Sequence, residues 1–105
     1  MTAIEWRQTA RADLLAIVDY ISDDNPDAAQ RLKEDIEAKV ERLSEHPKLY
    51  RLGRAPGTRE MVVRSNYIVI YMENARVVTI LRVLHAAQQW PPESPLPPTT
   101  DEQTN

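Results

Sequence analysis

Cysteine is absent from the 105 residues, which removes disulfides, thiolate catalysis and every cysteine-based zinc site, and suits a reducing compartment. Histidine occurs only twice, as His46 and His85, far apart along the chain, so neither a metal nor another cofactor is expected. No stretch approaches the ~18 apolar residues of a membrane span. The N-terminus, MTAIEWRQTARADLL, carries charge throughout and lacks the apolar core of a signal segment. The chain therefore reads as cytoplasmic, with no membrane partner. There is also no large excess of positive charge: 13 Lys and Arg against 16 Asp and Glu leave a net of −3, so global basicity gives no argument for nucleic-acid binding. The length fits one small domain with no room for a second, which excludes a multidomain enzyme.

The charge that is present is unevenly spread. Residues 1–47 hold six bases against eleven acids, residues 48–90 hold seven bases against only Glu60 and Glu73, and residues 91–105 hold three acids and no base. An acidic half thus precedes a basic half. Five of the eight prolines fall within residues 91–98, where Leu96 is the one large apolar side chain. Such a segment cannot bury enough surface to offset its ordering entropy, so the expected organisation is a folded domain over residues 1–90 and a disordered or extended Pro-rich tail over 91–105.

Ala3-Ile4-Glu5-Trp6 alternates as a short strand does, at an edge or as a hairpin partner. Ala10, Leu14, Ile17, Val18 and Ile21 recur at helical spacing, with Thr9 placed as a candidate N-cap and the helix ending near Ser22. Asn25-Pro26-Asp27 then opens a second helix: Asn25 can cap it, Pro26 suits its first turn, and Asp27 complements the positive end of the dipole. Ala29, Leu32, Ile36, Val40 and Leu43 step by three or four residues and define one apolar stripe. Beyond Pro47, a loop contains the only two glycines, Gly53 and Gly57. Three β-rich runs follow, at 59–64, 67–73 and 76–84, with turns expected at Ser65-Asn66 and Asn74-Ala75. The order β-α-α-β-β-β predicts an α+β fold, a small antiparallel sheet with an N-terminal helical hairpin packed on one face.

Arg51, Arg54, Arg59 and Arg64 lie on or beside the glycine loop and the strand after it, with Tyr67 and Tyr71 close behind. Planar guanidinium groups beside aromatic rings suit a phosphate or an acidic peptide, and predict an anion-seeking wall; a solvated strand surface balanced by the acidic helices is the plainer alternative. Arg82 sits within an apolar strand, sharing parity with Ile80 and Leu84, so it must be paired, for instance with a helix carboxylate, or line a cleft. His85, at the end of the same strand, could serve as a general acid or base, or as a hydrogen-bonded structural residue. Trp6 and Trp90 are expected to close the core or cover its rim.

The element order, with Asp13-Leu14, Asn25-Pro26, Ala28-Ala29, His46-Pro47, Gly57-Thr58-Arg59-Glu60, Tyr67-Ile68-Val69-Ile70-Tyr71 and Ile80-Leu81-Arg82-Val83-Leu84-His85, resembles the RelE/ParE family of type II toxins over about residues 3–90. The resemblance implies a small toxin encoded beside an antitoxin that covers its groove and sheet, as a homodimer or as a heterotetramer with that antitoxin. Two activities occur in the superfamily: cleavage of mRNA at the ribosome and inhibition of DNA gyrase, and fold alone does not choose between them.

Of the basic positions that the ribonuclease members use, Arg59 matches, but Met61, Ile68 and Ala86 stand where those members carry basic residues. The expectation is therefore a ParE-like gyrase inhibitor, with Arg54, Arg59, Arg64, Tyr67, Tyr71, Arg82 and His85 bordering the surface that antitoxin or target covers. The alternatives are a ribosome-dependent mRNA endonuclease using His85 as acid/base with Arg59 and Arg82 as catalytic cations, and a non-toxic degenerate interaction module.

Overall fold

The computed structural model describes residues 2–86 and Trp90. The Pro-rich tail expected over 91–105 lies outside the described residues. Strand β1 (Ala3–Trp6) leads into helix α1 (Gln8–Ser22) and helix α2 (Pro26–Arg42), followed by β2 (Arg51–Leu52), β3 (Arg59–Val63), β4 (Tyr67–Glu73) and β5 (Val77–His85). The five strands form one sheet in the order β1-β5-β4-β3-β2.

The expected α+β architecture is present, with two differences in the sheet. First, β1 runs parallel to β5, with Ala3 opposite Val77 and Trp6 opposite Ile80, so the sheet is mixed rather than purely antiparallel. An edge position for β1 holds and a hairpin does not, because two helices and three strands intervene and only such a long crossover can bring a strand back parallel. Second, Arg51 and Leu52 form a short outer strand against Glu60 and Arg59, in what the sequence suggests is loop.

Helix α2 follows its sequence signals closely. Asn25 Oδ1 accepts from Ala28 N at 3.0 Å, Pro26 is in the first turn beside Asp27, and Ala29, Leu32, Ile36, Val40 and Leu43 are all buried. Helix α1 differs at its start: Arg7 is the N-cap residue and makes no side-chain cap bond, while Thr9 Oγ1 donates to Leu81 O at 3.1 Å. Thr9 therefore ties the helix to the β5 edge where β1 has ended.

The helices and the sheet enclose a core of Leu14, Leu32, Ile36, Val40, Met61, Val63, Val69, Tyr71, Val78, Ile80 and Val83, with Trp6 packed at its margin. Each such large apolar side chain contributes about 1.5–3 kcal/mol by leaving water. A smaller cluster, Ile68, Ile70 and Leu84 with Leu81 and Trp90 packed on it, occupies the opposite face. Both tryptophans thus cover rims, as expected. Ile80 and Leu84 do not share a face as simple alternation requires. Ile70 pairs with Arg82 but Tyr71 pairs with Ile80, leaving Leu81 as an extra residue whose bulge reverses the parity beyond it. The β3–β4 turn is also one residue longer than expected. Val63 pairs with Tyr67, and Arg64 and Ser65 both adopt positive φ (55° and 57°) in the connection.

Candidate functional site

The basic half folds so that Arg51, Arg54, Arg59, Arg64 and Arg82 are held by carboxylates of the same chain. On β3, Arg59 donates from Nε to Glu73 Oε2 at 3.3 Å and from Nη1 to the Tyr50 carbonyl at 2.7 Å, which fastens the segment after α2 to the sheet. Arg64, in the β3–β4 turn, donates to Asp35 of α2 at 2.9 Å. Arg82 reaches Asp13 of α1 through Nε at 2.7 Å and Nη2 at 3.1 Å, and Asp13 also accepts from Val83 N at 3.0 Å. The helix carboxylate that Arg82 requires on its strand is therefore Asp13. It favours the charged guanidinium, whose pKa the hydrogen bond raises against the opposing effect of burial.

Arg51 and Arg54 share a single partner. Glu60, 2% exposed, accepts from Arg51 Nη2 at 3.0 Å, from Arg54 Nε and Nη2 at 3.3 Å each, and from the Arg54 backbone N–H at 3.0 Å. Burial pushes the Glu60 carboxyl up, but the hydrogen bonds from Arg54 and Arg51 outweigh it, and the group lies below its ordinary range.

The continuous anion-seeking wall expected from Arg51 to Arg64 is therefore not assembled. Arg59 turns to the loop after α2, Arg64 to α2 and Arg82 to α1, because the groups that hold them, the Tyr50 carbonyl with Glu73, Asp35 and Asp13, sit on different elements. Tyr71 also leaves the candidate surface: it is fully buried in the helix-side core and its hydroxyl donates to the Pro47 carbonyl at 2.9 Å. Burial lifts its pKa to about 12, with Arg59 pulling in the opposite direction.

Tyr67 and His85 do come together. They are register partners at the start of β4 and the end of β5, with ring centroids 5.5 Å apart and planes at 86°, an edge-to-face contact. They line a cleft of about 370 Å³ with Ala16, Ile17, Tyr20 and Ile21 of α1. A second groove of about 370 Å³ runs along the helical hairpin, lined by Trp6, Leu14, Leu15 and Val18 with Arg11, Lys33 and Glu37. The sequence reading passes over this groove. Its signal is Leu15, which lies off the buried stripe of α1 and is 61% exposed. Among the described residues, no group of three or more His, Cys, Asp or Glu is placed to hold a metal ion, and no helix is long and apolar enough to cross a membrane.

Comparison with known proteins bears on what these surfaces are for. Residues 4–90 match the family model described as the ParE toxin of the type II toxin–antitoxin system parDE. A putative toxin, Y4kP, of Sinorhizobium fredii is 42% identical over 88 residues, covering 84% of this chain and 92% of the relative. Toxin RelE2 of Caulobacter vibrioides is 39% identical over 88 residues, covering 84% of this chain and 99% of the relative. Among solved structures, a chain of the chromosomal ParDE toxin–antitoxin system from P. aeruginosa superposes with a TM-score of 0.73 at 25% identity, covering 81% of this chain and 96% of that one. A chain of the E. coli DinJ–YafQ toxin–antitoxin complex superposes with a TM-score of 0.55 at 16% identity, covering 82% and 93%, a likeness of fold alone.

Proposed function

The chain belongs to the RelE/ParE family of type II toxins, and from that premise we propose that it arrests growth by binding DNA gyrase rather than by cutting RNA. The observation that carries this reading is the state of the arginines. Cleavage through a 2′-hydroxyl builds charge on a crowded phosphate, and the cations that stabilise it must be free to do so. Arg59, Arg64 and Arg82 are each engaged by Glu73, Asp35 and Asp13. A side chain already neutralised within the fold has to break a bond to serve a phosphate, whereas a protein-binding surface needs no such release.

The neutralising partner is a cognate antitoxin, in keeping with the toxin–antitoxin systems from which the structural neighbours come. The toxin domain spans residues 1–90, with 91–105 as an appended tail. In this reading Arg54, Arg64, Tyr67 and His85 contribute to contacts with antitoxin or target, while Arg59 and Arg82 position the elements that carry them. The test is a supercoiling assay with purified gyrase. Relaxed plasmid should remain relaxed when the toxin is present in excess, and supercoiling should return on adding the antitoxin; full supercoiling in the presence of excess toxin would refute the reading.

One observation favours the ribosome-dependent mRNA endonuclease as a second reading. His85 packs edge-on to Tyr67 at the rim of the aromatic cleft that also holds Tyr20, and imidazole is the side chain most often used as a general acid or base. Under that reading His85→Ala abolishes growth arrest without loss of fold. Under the gyrase reading the same variant weakens arrest only as far as His85 contributes a contact.

A further inference from the structure

We infer that the segment following Trp90, which opens Pro91-Pro92-Glu93, lies as a strap across the sheet face opposite the helices, with Trp90 as its anchor and Glu93 paired with Arg51 and Arg54. The strap covers that face in the free protein, so an acidic partner must displace it. Displacement by a partner rests on the reading of Arg54 as a contact with antitoxin or target; the strap itself does not.

Strand register sets the arginine pair and the second apolar cluster on one face. Glu60 precedes Met61, which points into the helix-side core, so by alternation Glu60 points the other way. Ile70 on β4, Glu60 on β3 and Arg51 on β2 are successive register partners and form one row across that face. Ile70 belongs to the cluster that Trp90 packs against. Among the described residues, Glu60 alone serves Arg51 and Arg54, which leaves one positive charge uncompensated, whereas Arg59, Arg64 and Arg82 each face one carboxylate. The pair is also open, its side chains 60% and 52% exposed. Arg51 gives Glu60 only Nη2, so most of the donors of its fork remain for a second carboxylate.

Reach and charge both favour the segment after Trp90 as the occupant. Arg51 lies two strands from Ile70, a span of ~10 Å at the usual strand spacing. Pro91 and Pro92 impose an extended backbone that advances ~3.1 Å per residue, so Glu93 arrives ~9 Å from Trp90 and the long side chains close the remainder. Val62 and Met72 share this face and are 40% and 43% exposed, which leaves apolar surface for the proline rings to cover. Trp90 Nε1 is buried with no hydrogen-bond partner among the described residues, and carbonyls of the adjoining segment can supply one. Residues 91–105 hold Glu93, Asp101 and Glu102 and no base, the complement of the arginine pair. The family match ends at residue 90, so the strap lies beyond the domain shared with the relatives.

Because the chain has no cysteine, Ser94→Cys gives a single site for a nitroxide label beside Glu93. In amide NMR spectra of the labelled full-length chain, the signals of Arg51, Gly53 and Arg54 should lose most of their intensity, and those of the helices on the other face should lose less. Adding Glu93→Gln, or an excess of hexaglutamate peptide, should restore them. Uniform broadening over both faces, or none, overturns the strap. Broadening that survives both Glu93→Gln and the peptide overturns the pairing with the arginines. Broadening of an isotope-enriched, unlabelled copy by a spin-labelled one overturns the intramolecular strap in favour of an exchange between two copies. The measurement needs neither antitoxin nor gyrase, so its failure is distinct from failure of the toxin reading.

Discussion

Asp13 and Arg82 stand 69 residues apart in sequence and meet through two hydrogen bonds, the shorter 2.7 Å, where α1 crosses β5. Asp13 also accepts from Val83 N, so one carboxylate satisfies both an arginine on the strand and a backbone donor at the edge that β1 leaves uncovered. Asp13→Ala is expected to lower stability by about 2 kcal/mol, seen in urea unfolding as a lower midpoint with an unchanged slope. Asp13→Asn keeps an acceptor for Val83 and should lose less. Equal losses for the two would mean that the charge on Asp13, and not its backbone bond, carries the whole effect.

The carboxyl of Glu60 is held below its usual value of 4.5 by Arg54 and Arg51 despite its burial. Because its folded pKa is depressed, its contribution is complete above the unfolded pKa and is lost as pH falls toward the folded one. The melting temperature of the wild type should therefore exceed that of Glu60→Gln most at neutral pH, and the gap should narrow as the medium is acidified below about 4.5. A gap that stays constant down to the acid limit would show that Glu60 stabilises by packing alone.

Tyr71 has the opposite sign. Its pKa is raised to about 12, so the fold favours the neutral phenol, and this contribution is lost as pH rises from 10.0 toward that value. In a spectrophotometric titration, one of the four tyrosines should fail to ionise with the others until strongly alkaline pH or unfolding. Tyr71→Phe should remove that late component and cost about 1 kcal/mol, since the Pro47 carbonyl loses its donor. Four tyrosines ionising together in the folded chain would contradict the buried placement.

The two glycines fail differently when substituted. A Cβ on Gly53 would press into the Thr58 hydroxyl and come within 3.2 Å of the Glu60 side chain, so Gly53→Ala must open the loop that holds Arg51 and Arg54. A loss of about 1–3 kcal/mol is expected from such overpacking, together with weaker antitoxin binding. Gly57 meets nothing within 4 Å but sits at φ +78°, so Gly57→Ala should cost about 1–2 kcal/mol through backbone strain and leave the arginine pair in place. Thermal melts of the two variants, read beside their antitoxin affinities, separate the effects.

Helix α2 was legible because every local cue agrees: Asn25, Pro26 and Asp27 mark its start, and one apolar stripe from Ala29 to Leu43 marks its buried face. The later strands were legible for the same reason, as short β-rich runs between turn residues. The parallel pairing of β1 was not, since strand direction depends on how intervening helices carry the chain back. Nor was the bulge at Leu81, which apolar residues on both sides conceal. For the candidate site, the requirement that Arg82 be paired could be read from its place in an apolar strand, but the spread of the other arginines could not. Counting charges along the chain shows a basic half, whereas Asp35 lies 29 residues from Arg64 and Asp13 lies 69 from Arg82. Which acid folds against which base is a property of the packed helices and sheet.

The sharpest separation between protein binding and RNA chemistry comes from mapping transcript 5′ ends in cells arrested by this chain without its antitoxin. Arginines committed to Glu73, Asp35 and Asp13 should leave the message intact, so growth should stop with no new ends inside translated codons. New ends recurring within codons, and lost in the His85→Ala variant, would contradict this and assign the arrest to cleavage.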